Sequence, residues 1–252
     1  MTTNTIRLTM AQALAKFLTR QMTVVDDKTV PIFGGVFAIF GHGNVAGFGE
    51  ALYQVQSELP TYRAHNEQGM AHAAIAYAKA NFRRRMMAVT SSIGPGATNM
   101  VTACALAHVN RLPLLLLPGD VFANRAPDPV LQQVESFADG TVSANDVFRP
   151  VSRYFDRIAR PEQLISALER TMEVLTDPAD CGPVTLALCQ DVQAEAFDYP
   201  ATMFEERVWV QRRPRADIDE LGALTRALKA AKKPMIIAGG GELYSGAAGV
   251  LK

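Results

Sequence analysis

The feature that most limits the fold is a recurrent unit: a short apolar run, a glycine or polar break, and then a stretch with helical spacing. The runs are "VPIFGGVF", "TYRA", "MMAVTSS", "LPLLLLPGD", "PVTLALC" and "KPMIIAGGG". Strands of near-continuous Val, Ile, Leu and Met are buried on both faces, which a parallel sheet covered by helices provides and a half-solvated sandwich does not. The expected class is α/β, a parallel sheet with helices on both faces. Helical periodicity predicts helices near 9–21, 45–58, 67–81, 97–110, 161–176 and 216–231. Thr9 suits the cap of the first, and Pro161 suits a first turn.

Residues 193–219 break this rhythm with prolines, charges and the one tryptophan, without a clear period. Residues 1–192 are therefore expected to form one domain, 193–215 a linker, and 216–252 the beginning of a second α/β domain. One strand and two helices cannot bury a core, so that second unit is expected to be incomplete.

Composition excludes several function classes. The 25 basic side chains balance 25 acidic ones, so no nucleic-acid partner is implied. Three cysteines, Cys104, Cys181 and Cys189, are too few and too scattered for a disulfide framework, which points to a reducing cytoplasm. No window approaches the ~18 uninterrupted apolar residues of a membrane span, and the N-terminus lacks the pattern of a signal peptide. A soluble protein is expected.

Three stretches carry polar residues suited to chemistry. In "HNEQGMAHAAIAYAKA", Glu67 opens a helix that is apolar over most of its circumference. A helix-terminus acid satisfied by backbone amides is the bland alternative. Burial favours a functional one, since a carboxylate drawn from water must find a partner that shares a proton with it. In "TSSIGPGATN", a strand runs into Gly94, Pro95 and Gly96 before a helix, so a ligand can approach the backbone, although a tight turn alone explains the pattern as well. In "FGHGNVAG", His42 lies between two glycines and Asn44 follows; a ligand-facing role and a solvated loop are both open. All three fall where strands end and helices begin, the edge at which open parallel sheets bind ligands.

Together, "HNEQGMAHAAIAYAKA" and "VTSSIGPGATNMVTACALAHVNRLPLLLLPGDV" resemble the pyrimidine-binding domain of thiamine-diphosphate enzymes of the acetohydroxyacid synthase and pyruvate oxidase group, over residues 9–192. Within that group, "FGHGNVAG" and "LQQVESFADGTVSANDVFRPVSRYFDRI" look most like a branch that opens a cyclic 1,2-diketone hydrolytically in myo-inositol breakdown. The resemblance implies that Glu67 hydrogen-bonds the aminopyrimidine ring of thiamine diphosphate and so promotes loss of the thiazolium proton. It implies cofactor contacts from Gly94, Pro95, Gly96 and Asn99. It assigns His42, Asn44 and Gln132 to the substrate side, and it implies a homodimer or homotetramer with the Glu67 helix at a subunit interface.

Two departures stand out. Asn66 occupies a position where many relatives have His, and "SSIGPG" is one residue longer than the commoner "TSGPG", so the carbonyl pocket is expected to differ from a pyruvate pocket. The group holds its diphosphate through magnesium at a Gly-Asp-Gly motif, which is absent from these residues; "LPGDVF" has Gly119 and Asp120 but lacks the following glycine. The magnesium site is expected outside this chain, and the chain alone is expected to be inactive. "AGGGELYSG" has Tyr244 where a dinucleotide fingerprint needs its third glycine, so it favours neither FAD nor NAD. A carboligase or decarboxylase of the same group, and a non-catalytic binding module, are the alternatives to the hydrolase.

Overall fold

The computed structural model describes residues 4–251. Its centre is a six-stranded, wholly parallel sheet in the order β5-β4-β6-β7-β9-β8, as the apolar runs predict. The strands are β4 (Phe33–Ile39), β5 (Thr61–Arg63), β6 (Met86–Ser91), β7 (Leu114–Asp120), β8 (Tyr154–Ile158) and β9 (Pro183–Cys189). Every residue of β6, β7 and β9 is buried. Alternation explains how a continuous apolar run serves two layers. Leu115 and Leu117 of β7 join one core cluster, whereas Leu114 and Leu116 join the other.

The first cluster lies under α1 (Met10–Thr19) and α7 (Gln163–Leu175), together with the short helices that follow β4: α2 (Gly41–Asn44), a π-helical turn (Val45–Gly49) and α3 (Glu50–Gln54). The second lies under α4 (Glu67–Ala80) and α6 (Val101–Val109), with α5 (Pro95–Thr98) leading into α6. The expected cap of α1 forms, whereas Pro161 precedes the Glu162 cap of α7 and so lies outside the first turn where it was expected. The Thr9 side chain accepts from the Gln12 amide and the Gln12 side chain closes back on the Thr9 amide, a reciprocal box that starts α1. Asn66 caps α4 by accepting from the Gly69 amide at 2.7 Å.

The segment expected to be a linker differs from its reading. β10 (Ala196–Pro200) pairs antiparallel with β1 (Thr5–Thr9), and β11 (Arg207–Trp209) pairs parallel with β2 (Gln21–Val25), which also pairs with β3 (Lys28–Pro31). Tyr199 is fully buried, with its hydroxyl donating to the Pro161 carbonyl. Residues 193–209 therefore belong to the body of the domain, held by partners almost 200 positions away that no local pattern announces. Beyond them, α8 (Ile218–Ala230) forms as predicted, followed by α9 (Gly240–Ser245) and α10 (Ala248–Leu251). The expected strand in "PMIIAGGG" does not form, and Met235, Ile236 and Ile237 are exposed. A strand needs a neighbour to take up its backbone groups, and among the described residues none lies beside it.

Candidate active site

The chain enters the sheet at β4, steps outward to β5, then returns across to β6. Loops leaving β4 and β6 therefore diverge at the carboxyl edge, and the crevice between them is where such sheets receive ligands. Both glycine-rich stretches lie there, and α4 brings Glu67 to the same edge.

Glu67 is the first residue of α4 and is half-buried. Its Oε2 accepts a hydrogen bond from Nδ2 of Asn99 at 2.8 Å, so two sequence-predicted residues meet directly. Gly96 lies under the same carboxylate: a Cβ there would stand 3.3 Å from Oε1. Glu67 thus has one oxygen fixed by an amide and the other over a turn that lacks side-chain bulk. The helix behind it is less enclosed than its sequence suggests. Met70, Ala71, Ala74, Ile75 and Ala78 are buried, while Gly69, Ala73, Ala76 and Ala80 form an outward stripe.

Gly94 adopts φ +62° as it caps α5, a left-handed conformation that only glycine takes without strain, and Pro95 fills the first position of that helix. A Cβ at Gly94 would also run into the backbone carbonyl of Gln132, so the long loop after β7 closes directly over this turn. Gln132 itself is exposed, with φ +64° and its Oε1 accepting from the Ser92 hydroxyl at 3.0 Å. Gln132, Ser92, Gly94, Gly96, Asn99 and Glu67 are brought together.

Asn44 departs from its expected role. It is fully buried and turned into the protein, donating to the Thr90 hydroxyl and the Ser91 carbonyl, both at 2.8 Å, and accepting from Nε2 of Gln193 at 2.9 Å. With these partners taken, the side chain staples the first loop to β6 and does not face a substrate. Gln193 completes the staple. Its Oε1 accepts from the Phe48 amide at 3.0 Å, and its Nε2 also donates to the Gly43 carbonyl. Nothing in the local pattern of "DVQAE" singled out this glutamine, because its partners lie some 150 residues earlier. The same contact explains Gly47, where a Cβ would meet the Gln193 side chain at 2.5 Å.

His42, in the same loop, is half-buried and its Nε2 is enclosed without a hydrogen-bond partner. Gln190, directly after β9, donates to the His42 carbonyl at 3.4 Å. A cavity of about 430 Å³ lies beside this loop, lined by Phe40 and Gly41 on one side and Thr61, Arg63 and Ala64 on the other. His65 is exposed, and His72 is tied to the Gln68 carbonyl within α4.

A second buried polar group was also missed from sequence. Asp120, at the end of β7, is 1% exposed and pairs with Nε of Arg157 at 2.8 Å, while the Ser143 hydroxyl lies 2.9 Å from each of its oxygens. Asp120 fixes both ends of the loop that carries Gln132. Among the described residues no three His, Cys, Asp or Glu side chains converge as a metal-holding group.

Comparison with known proteins agrees with this geometry. Residues 34–139 match the family described as "Thiamine pyrophosphate enzyme, N-terminal TPP binding domain". The chain is similar to proteins named 3D-(3,5/4)-trihydroxycyclohexane-1,2-dione hydrolase. It is 54% identical over 245 residues to that of Geobacillus thermodenitrificans, covering 97% of this chain and 38% of the relative. Over 247 residues it is 52% identical to that of Listeria monocytogenes, covering 98% and 39%. A Bacillus cereus relative is 52% identical over 248 residues, covering 98% and 38%. The chain thus spans under two-fifths of the length of these relatives. The match covers β4 to β7, and with them the paired Glu67 and Asn99 at the carboxyl edge of the parallel sheet, so this part of the chain is similar to the N-terminal TPP binding domain of thiamine pyrophosphate enzymes.

Proposed function

We propose that this chain supplies the pyrimidine-binding part of a thiamine-diphosphate- and magnesium-dependent hydrolase that opens trihydroxycyclohexane-1,2-dione to 5-deoxy-glucuronate in inositol breakdown. The observation that carries the reading is the similarity of 51 to 54% over nearly the whole chain to proteins bearing that hydrolase name. The Glu67–Asn99 pair at the sheet's carboxyl edge supports it chemically. When bound, thiamine diphosphate supplies a nucleophilic carbon for attack on a carbonyl. Glu67 holds a proton against a ring nitrogen of the pyrimidine, and Asn99 fixes the carboxylate's direction by occupying Oε2. Gly94, Pro95 and Gly96 admit the ring close to the backbone. His42 offers Nε2 to a substrate oxygen, and Gln132 stands at the rim where it can order the loop over the substrate. Asn44 acts one step back by holding the His42 loop in place.

The same reading places the protein in the cytoplasm as a homodimer or homotetramer. The outward small-residue stripe of α4 supports close approach of a second chain beside Glu67. Among the described residues no helix is long and apolar enough to cross a membrane. The magnesium and diphosphate ligands are assigned to residues outside this chain.

Product analysis of the full-length protein tests the substrate. The cyclic 1,2-diketone should be opened to an acyclic acid, and pyruvate should give no acetolactate. Acetolactate formation without ring opening would replace the hydrolase with a carboligase.

A further inference from the structure

The opposite, amino edge of the large sheet holds a cavity of about 1020 Å³. It is bounded by the end of α4, the α6–β7 turn, the residue leading into β8 and the α7–β9 turn, with residues 211–214 and α9 on its outer side. The 14 residues of α4 separate it from Glu67 by about 20 Å.

Its charge is one-sided. Lys79, Arg83, Arg111 and Arg153 reach it from the sheet domain, Arg212 and Arg213 from the segment after β11, and Asp177 is the one carboxylate in its lining among the described residues. Asp180 pairs with Arg153 at 3.1 Å and more loosely with Arg111 at 3.9 Å, but is itself 62% exposed, where water screens the charge. The donors are also unsatisfied. Nε of Arg83, Nε of Arg153 and Nδ1 of His108 are all buried without a hydrogen-bond partner, and all three side chains line this cavity. Buried N–H groups without acceptors are costly, and the two arginine Nε–H groups, joined by His108 Nδ1 in the tautomer that protonates it, call for an anion at this positive cavity. The Arg83 guanidinium is held in place by the Asn110 carbonyl, 3.2 Å from Nη2, and by the Tyr244 ring, 3.6 Å from its carbon to the ring centroid.

We propose that this cavity binds a small polyvalent phosphate, inorganic or organic, with Arg83 and Arg153 as the principal donors. Guanidinium groups match phosphate oxygens in geometry and stay charged, and the volume exceeds the needs of one orthophosphate. The site is independent of the chemistry assigned to the carboxyl edge and needs no magnesium.

Titration calorimetry of the full-length protein with tripolyphosphate, in magnesium-free buffer containing a chelator, tests it while leaving a magnesium-dependent diphosphate site silent. Saturable binding with a dissociation constant below about 1 mM is expected. It should be weakened at least tenfold, roughly the value of one charged hydrogen bond, in Arg83→Gln and in Arg153→Gln. Arg83→Lys, which keeps the charge without the fork, should fall between. Arg7→Gln, at an exposed ion pair with Asp198 on β10, should bind as the parent does. Circular dichroism confirms that each variant is folded; if one is not, the other arginine and the lysine variant carry the test. Absence of saturable heat, equal weakening by Arg7→Gln, or full affinity in folded Arg83→Gln and Arg153→Gln would overturn the assignment.

Discussion

Glu67 and Asn44 show what a sequence can and cannot say about single residues. Glu67 stood out because a charge beside a run of alanines needs a reason, and the structure places it at the predicted edge with Asn99 and Gly96. Asn44 stood out for the same kind of reason, a polar residue in a glycine loop, yet its amide is consumed inside the protein by Thr90, Ser91 and Gln193. Local spacing cannot separate these cases, because the groups that satisfy Asn44 come from other strands. Asn44→Ala should therefore act on stability. It removes the buried hydrogen bonds to Thr90, Ser91 and Gln193 and leaves a void, and should cost about 2–3 kcal/mol in urea unfolding, with the thiamine diphosphate affinity of the folded fraction little changed. A loss of affinity at unchanged stability would return Asn44 to the ligand side.

At the scale of elements, the central strands and long helices were legible because each announces itself within its own length. β6, β7 and β9 are mostly apolar and buried along their whole length, and α4 and α7 carry helical periodicity. β8, "YFDRI", was hidden because it is an edge strand that carries Asp156 and Arg157, and charge reads as loop. β1 and β10 were hidden because each is defined only by the other, Thr5 facing Pro200. The turn at Gly94 was legible as a turn, whereas its role as the seat of the Gln132 loop was not. Gly94→Ala should strain a left-handed backbone and push the Gln132 carbonyl away, costing about 1–3 kcal/mol. Differential scanning calorimetry should show the loss, and limited proteolysis should cut within 122–142 faster than in the parent. An unchanged melting point and digestion pattern would mean that the loop is held from elsewhere.

Across the whole molecule, burial raises the thiols and two of the tyrosines. It pushes the Cys104 thiol up to about 11 and the Tyr154 hydroxyl up to about 12, the latter aided by the bond to Asp156, and it also raises Cys181, Cys189 and Tyr199. A group with a raised folded pKa holds its proton more tightly folded than unfolded. Its stabilisation is complete below the ordinary values of 9.0 for thiol and 10.0 for phenol, and is lost as pH rises beyond them. The urea midpoint should thus be flat from about pH 7 to 8.5 and fall steeply above about pH 9.5, each group contributing up to about 1.4 kcal/mol per unit. A midpoint unchanged at about pH 10.5 would show that these groups titrate from an opened state. The larger claim is that the chain brings one carboxylate to a cofactor that the rest of the assembly holds. Deuterium exchange at the thiazolium C2 position, followed by proton NMR in full-length protein loaded with thiamine diphosphate and magnesium, addresses it most directly. Glu67→Gln should slow that exchange by about a hundredfold or more while leaving fold and assembly intact, and exchange at the parent rate would contradict the account.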